Sequence, residues 1–188
     1  MRIRSLAIAA LLLSMGWLPI QSFAHDGDGA YEEEDLTPQN RHELAVLRAA
    51  TAAYHDFDSA TQAGLWEVPV PTPPAPLECL YDTSEKNEGG MGYHFVKLDN
   101  FVAPDQLDPA RPQALIYEPE KDGSMRLVAV EFLVPGADTD PAPMLFSQHF
   151  VYNYRFQVWT LHVWVWRDNP RGLFYGWNPN VSCQYASL

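Results

Sequence analysis

Three residues invite chemistry by their surroundings. Glu131 is the only charge in the apolar run Leu127-Val128-Ala129-Val130-Glu131-Phe132-Leu133-Val134. A carboxylate buried there must be protonated, hydrogen-bonded or set against a cation, because an unpaired buried charge is costly. His94 follows the glycine-rich stretch Gly89-Gly90-Met91-Gly92-Tyr93, and His162 lies in the middle of Trp159-Thr160-Leu161-His162-Val163-Trp164. Two strand imidazoles and one strand carboxylate are the donor set of a two-histidine, one-carboxylate metal site, with positions left open for water or substrate. Zinc or copper is the divalent metal these donors suit. In a metal-dependent enzyme Glu131 would be a ligand or the general base, and the metal would activate water. His55, with Asp56 and Asp58 close by, would add a fourth ligand or a supporting hydrogen bond if its helix face meets the sheet. The competing reading is structural, with both histidines bonded to backbone and Glu131 paired to Arg126, Arg155 or a tyrosine hydroxyl.

A second kind of ligand is suggested by tryptophan. Strict alternation would place Trp164 and Trp166 on one strand face and Trp159 on the other, where they either fill the core or offer a stacking surface for a small apolar or glycan ligand. On that reading the protein is a non-enzymatic binding module and its histidines are structural. His25 would become the first residue after removal of a leader peptide and could chelate copper through amine and imidazole together, but the acidic tail around it argues against a rigid site. His42 and His149 read as ordinary surface or edge residues. The Walker loop, the G-x-S-x-G elbow, the dinucleotide-binding glycine fingerprint and the H-E-x-x-H zinc motif are all missing from the sequence.

The elements that must position these residues follow from periodicity. Thr37-Pro38 reads as an N-cap followed by proline at the first helical position. Leu44, Leu47, Ala50, Tyr54 and Phe57 recur at helical spacing, so one long helix is expected over about residues 38–63. Pro69 to Pro76 forms an extended proline-rich connector. Beyond it the period changes to two, and strands are expected over 92–98, 113–118, 125–134, 144–150 and 156–166, with Asp122-Gly123 as a hairpin turn. One helix followed only by strands predicts an α+β domain, a curled and mostly antiparallel sheet packed on the helix in the manner of cystatin-like or NTF2-like architectures.

Composition sets the compartment. Arg2 and Arg4, the apolar run Leu6 to Leu13 and the small-x-small sequence Ser22-Phe23-Ala24 match a secretory signal peptide over residues 1–24. Residues 25–36 form an acidic flexible tail, and 37–188 form a single domain. Removing the leader takes away Arg2 and Arg4 but no acidic residue, so the net charge moves from −12 to −14. Such a chain repels phosphate backbones and anionic lipid, which argues against nucleic-acid binding and against membrane insertion after cleavage. The expected partner is a small molecule or a metal, and the expected location is periplasmic or secreted. In that oxidising setting Cys79 and Cys183 should pair.

Ala45 to Gly64, Gly90 to Val96 (GMGYHFV), Leu107 to Pro119, Leu127 to Pro135 (LVAVEFLVP) and Leu161 to Cys183 (LHVWVWRDNPRGLFYGWNPNVSC) together resemble an uncharacterised family of exported bacterial proteins. The resemblance spans most of the mature chain. It implies one exported domain that ends at Cys183 and implies no substrate.

Overall fold

The computed structural model describes residues 36–64, 66–67 and 78–186. The expected signal peptide, nearly all of the expected acidic tail with His25, and the expected proline-rich connector lie outside the described residues. The architecture is α+β, with helical segments on one face of a curled antiparallel sheet.

The helical segment differs from the single long helix that periodicity predicts. α1 (Pro38–Thr51) starts as expected, with the Thr37 side chain accepting from the Asn40 N–H. After one tight turn over Ala52–His55 the chain becomes extended at Asp56 and restarts as α2 (Phe57–Gln62). Asp56 is the cause of the break. Its carboxylate accepts from the Asp58 N–H and the Ser59 hydroxyl, so it caps a new helix instead of continuing the old one. The restart drops Phe57 edge-on against Phe95 and Tyr117, each at 5.0 Å. Tyr117 also donates its hydroxyl to the Tyr54 carbonyl at 2.7 Å.

The strands are β1 (Trp66–Glu67), β2 (Leu80–Tyr81), β3 (Gly90–Val96), β4 (Ala114–Pro119), β5 (Met125–Pro135), β6 (Met144–Leu145), β7 (Gln148–His149), β8 (Val151–Asn153) and β9 (Val158–Val163). The main sheet runs in the order β1-β3-β4-β5-β9-β8, with β2 added beside the glycine-rich end of β3. The strand expected over 144–150 is instead a minimal hairpin, β6 with β7, turning on Phe146 and Ser147 at φ 53° and 60°. A left-handed phenylalanine is a poor turn former by local preference. Here its ring is fully buried between Phe132 and Phe174, and that burial outweighs the local preference.

A bulge in β5 decides which side chains reach which face. Ile116 pairs with Ala129 but Tyr117 pairs with Leu127, so Val128 is an extra residue. Leu127, Val130, Phe132 and Val134 therefore all enter the core beneath the helices with Phe95, Leu115 and Tyr117. Val128 and Ala129 turn to the other face, where they meet Ile116, Trp164 and Val181.

That second face is covered by the C-terminal segment. Gly90 and Asn178 exchange backbone hydrogen bonds of 3.0 Å in both directions. A Cβ on Gly90 would stand 2.7 Å from the Val181 carbonyl oxygen, which is why glycine is needed there. The Cys79–Cys183 disulfide forms as expected and ties this segment to the start of β2 across 104 residues. Among the described residues no helix is long and apolar enough to cross a membrane.

Candidate metal centre

His94, Glu131 and His162 come together on the sheet face away from the helices. Register explains how. Glu131 stands directly opposite His162 on β9 and opposite Ala114 on β4. His94 on β3 is opposite Ile116, two residues from Ala114, so His94 and Glu131 flank β4 from its two sides. Two strand spacings separate their backbones, about 9–10 Å. Ala114, opposite Glu131 on the strand between them, carries only a methyl group. Gly92, at φ 94°, resets the alternation before His94, and a Cβ at this position would lie 2.5 Å from the Tyr117 carbonyl oxygen.

The contacts are of one length. His94 Nε2 is 3.5 Å from Glu131 Oε2 and 3.5 Å from His162 Nε2, and His162 Nδ1 is 3.5 Å from Glu131 Oε1. These separations are long for hydrogen bonds, whose N–H···O distances centre near 2.9–3.0 Å. Each alone is the length of one edge of a coordination shell, but together they run through both ring nitrogens of His162 and both carboxyl oxygens of Glu131, so the side chains must turn slightly to present one donor each to a single ion. Ligands about 2.1 Å from a tetrahedral metal lie about 3.4 Å from one another. One donor from each of the three residues falls within a group no wider than 4.8 Å, and no other such group of three occurs among the described residues.

Burial sets the protonation states. The side chains are 17%, 7% and 6% exposed for His94, Glu131 and His162. Loss of water pushes the Glu131 carboxyl up to about 8 and pulls His94 down to about 4, an effect the backbone of Gly92 partly offsets. His162 falls to about 3, chiefly by burial and further by its neighbour His94. At neutral pH without metal all three are therefore uncharged, and the close approaches of imidazole and carboxyl are not ion pairs. His94 Nδ1 is buried without a hydrogen bond of ordinary geometry. A dication would reverse the situation at Glu131 by supplying the charge its carboxylate lacks.

Other expected participants lie elsewhere. His55 packs edge-on against Trp166, with ring centroids 4.4 Å apart, on the helix side of the sheet, so it is not brought to the cluster. Trp164 and Trp166 do not share a face. Regular strand ends at Val163, and the Val165 N–H bonds the Val163 carbonyl at 2.9 Å in a three-residue turn centred on Trp164. Trp164 then lies with Ile116 and Val181 and stacks beside His162, whereas Trp166 donates to the Thr51 hydroxyl of α1. The expected stacking platform is thus split between two packed layers.

His162 also lines a cleft of about 1140 Å³. Its walls are the 147–154 segment on one side and residues 171–177 on the other, with Thr160, Leu161 and His162 of β9 between them. Arg171 in the far wall bonds Glu88 at 3.1 Å and the Tyr175 hydroxyl at 2.9 Å, and Tyr175 donates to Glu88 at 3.0 Å. Nothing in linear spacing marks the far-wall residues, because they come from a strandless tail that only the tertiary fold carries back to β9. No protein-family model, curated protein or solved structure matches the chain.

Proposed function

We propose that this is an exported protein that binds one divalent metal, zinc or copper, through His94, Glu131 and His162. The observation that carries the reading is that one donor atom each from His94, Glu131 and His162, on three different strands, lies within 4.8 Å of the others, close enough for small side-chain adjustments to bring all three to one ion. Among the described residues no arginine or lysine pairs with this buried acid, which supports the same conclusion, since a metal gives its carboxylate a reason to be there. Three protein donors leave coordination open, and His162 connects the site to the cleft, so water or a ligand can complete the shell. Such a centre can polarise a bound carbonyl or lower the pKa of bound water. The leader-like N-terminus and the Cys79–Cys183 disulfide support an oxidising location, periplasmic or secreted.

The test is elemental analysis of protein purified without a metal-affinity tag, together with zinc and copper titrations of the wild type, His94→Ala and His162→Ala. One equivalent of metal, lost in both variants while the fold is retained, is the expected result. Wild-type protein that takes up neither metal would overturn the reading.

A further inference from the structure

The cleft exposes a short stretch of bare sheet edge beside the candidate metal centre. β8 pairs with β9 only from Val158 to Thr160, with Val151 opposite Thr160. Beyond that point the chain leaves the sheet, for the Phe150 N–H bonds the Pro143 carbonyl instead. β9 continues to Val163 with β5 on its other side. The next group bonded on the open side is the Trp164 N–H, taken by the Leu173 carbonyl at 2.9 Å. Backbone groups alternate edges along a strand, so the N–H and C=O of His162 point the same way as the Trp164 N–H, into the gap. Among the described residues neither a strand nor a loop closes that gap. From Thr160 to Trp164 it spans about 13 Å, room for about three residues of extended chain.

The walls say what kind of chain fits. A free N–H and C=O on one residue complement the donor and acceptor of a peptide unit, the pairing used when an extended segment adds to a sheet edge. Val151 and Tyr154 on the near wall are 70% and 74% exposed, and Phe174 and Trp177 stand in the far wall. Arg171 is already bonded to Glu88, so the cleft presents no unspent arginine or lysine to an anion. From this geometry we propose that the cleft seats a short, extended, uncharged peptide segment with apolar or aromatic side chains, its backbone paired to His162. The proposal builds on the metal reading by naming the ligand class that would reach that centre, but the seating itself needs no metal.

The test uses the disulfide-bonded protein labelled with nitrogen-15 and the uncharged probe acetyl-Ala-Tyr-Ala-Tyr-Ala-amide, with cellohexaose as a glycan comparison. The expected result is a shift of the His162 amide signal and at least about tenfold slower hydrogen exchange there, while the Leu161 and Val163 amides, turned toward β5, stay unchanged. Tyr154→Ala and Trp177→Ala should each weaken peptide binding about tenfold. Tyr154 is mostly exposed, so its variant keeps the fold. No binding at millimolar peptide, binding that leaves His162 exchange untouched, or preference for cellohexaose would overturn the proposal. Zinc titration of the same sample separates the two readings. Peptide protection of His162 without metal uptake defeats only the metal site, and metal uptake without peptide protection defeats only the groove.

Discussion

Glu131 and His162 face each other directly across the β5–β9 ladder, with Oε1 3.5 Å from Nδ1 and neither side chain more than 7% exposed. The pair is held by backbone register, so neither residue can leave without breaking the centre of the sheet. Their proximity is therefore permanent, and the chemistry between them depends on what occupies the space.

Glu131→Gln separates occupancy from packing. At neutral pH the metal-free acid is protonated, so the amide is close to it in shape and charge, and the metal-free variant should keep its stability within about 1 kcal/mol. Metal affinity should fall by a factor of at least about 100, because an amide cannot supply the anionic ligand. Zinc titration followed by thermal melting with and without zinc checks both. Undiminished zinc affinity would remove Glu131 from the ligand set.

The pH dependence of the metal-free protein follows from opposite shifts. Glu131, raised from 4.5 to about 8, holds a proton in the folded state that the unfolded chain has released, so its contribution to stability is lost as pH rises from 4.5 to 8. His94 and His162, lowered from 6.5 to about 4 and about 3, stay neutral in the folded state while the unfolded chain takes up protons, so stability is lost as pH falls below 6.5. Between 4.5 and 6.5 two histidines oppose one glutamate and stability climbs with pH. Above 6.5 only Glu131 acts, and stability declines by up to about 1.4 kcal/mol per pH unit until pH 8. Urea unfolding of the chelated protein should show this group's optimum near pH 6.5, and Glu131→Gln should abolish the decline above it. A stability profile flat from 6.5 to 8 in the wild type would contradict the burial argument.

Much of this site was legible in the sequence. The lone charge of Glu131 inside an apolar run and the paired cysteines each carried a physical demand that the fold meets. His94 was marked by its glycine-rich approach, and the close packing at Gly90 shows why those glycines are there. Other features were hidden by compensation over distance. Asp56 reads as a tolerable helix residue until its capping bonds are seen, and Phe146 is a poor turn former locally that a buried aromatic contact overrides. Alternation assumes continuous strand and so puts Trp166 on the face of Trp164, and one turn at Trp164 reverses it. His55 joins the cluster only if its helix face meets the sheet, and that face does meet it, at Trp166, but on the side away from the cluster.

Asp56→Ala tests the break between α1 and α2. Removing the cap should cost about 1 kcal/mol, with little change at the metal centre, because α2 packs on the other face of the sheet. Chemical denaturation measures the first effect and zinc stoichiometry the second. A gain in stability would mean that a continuous helix is tolerated here.

The disulfide should matter for the site as well as for stability. Its closed loop of about 100 residues is worth about 4–5 kcal/mol in the chain-entropy model, and often less in practice. Cys183 follows the segment that carries Asn178 and Val181 onto Gly90 and the Trp164 cluster, so the bridge holds the cover of the face on which Glu131 is buried. Cys79→Ala with Cys183→Ala should lower the denaturation midpoint and loosen that cover. A loosened cover admits water, and water relieves the burial that raises Glu131. The decline in stability above pH 6.5 should therefore be shallower in the double variant than in the wild type. Equal slopes, with the midpoint lowered, would show that the bridge stabilises the chain without shielding the site.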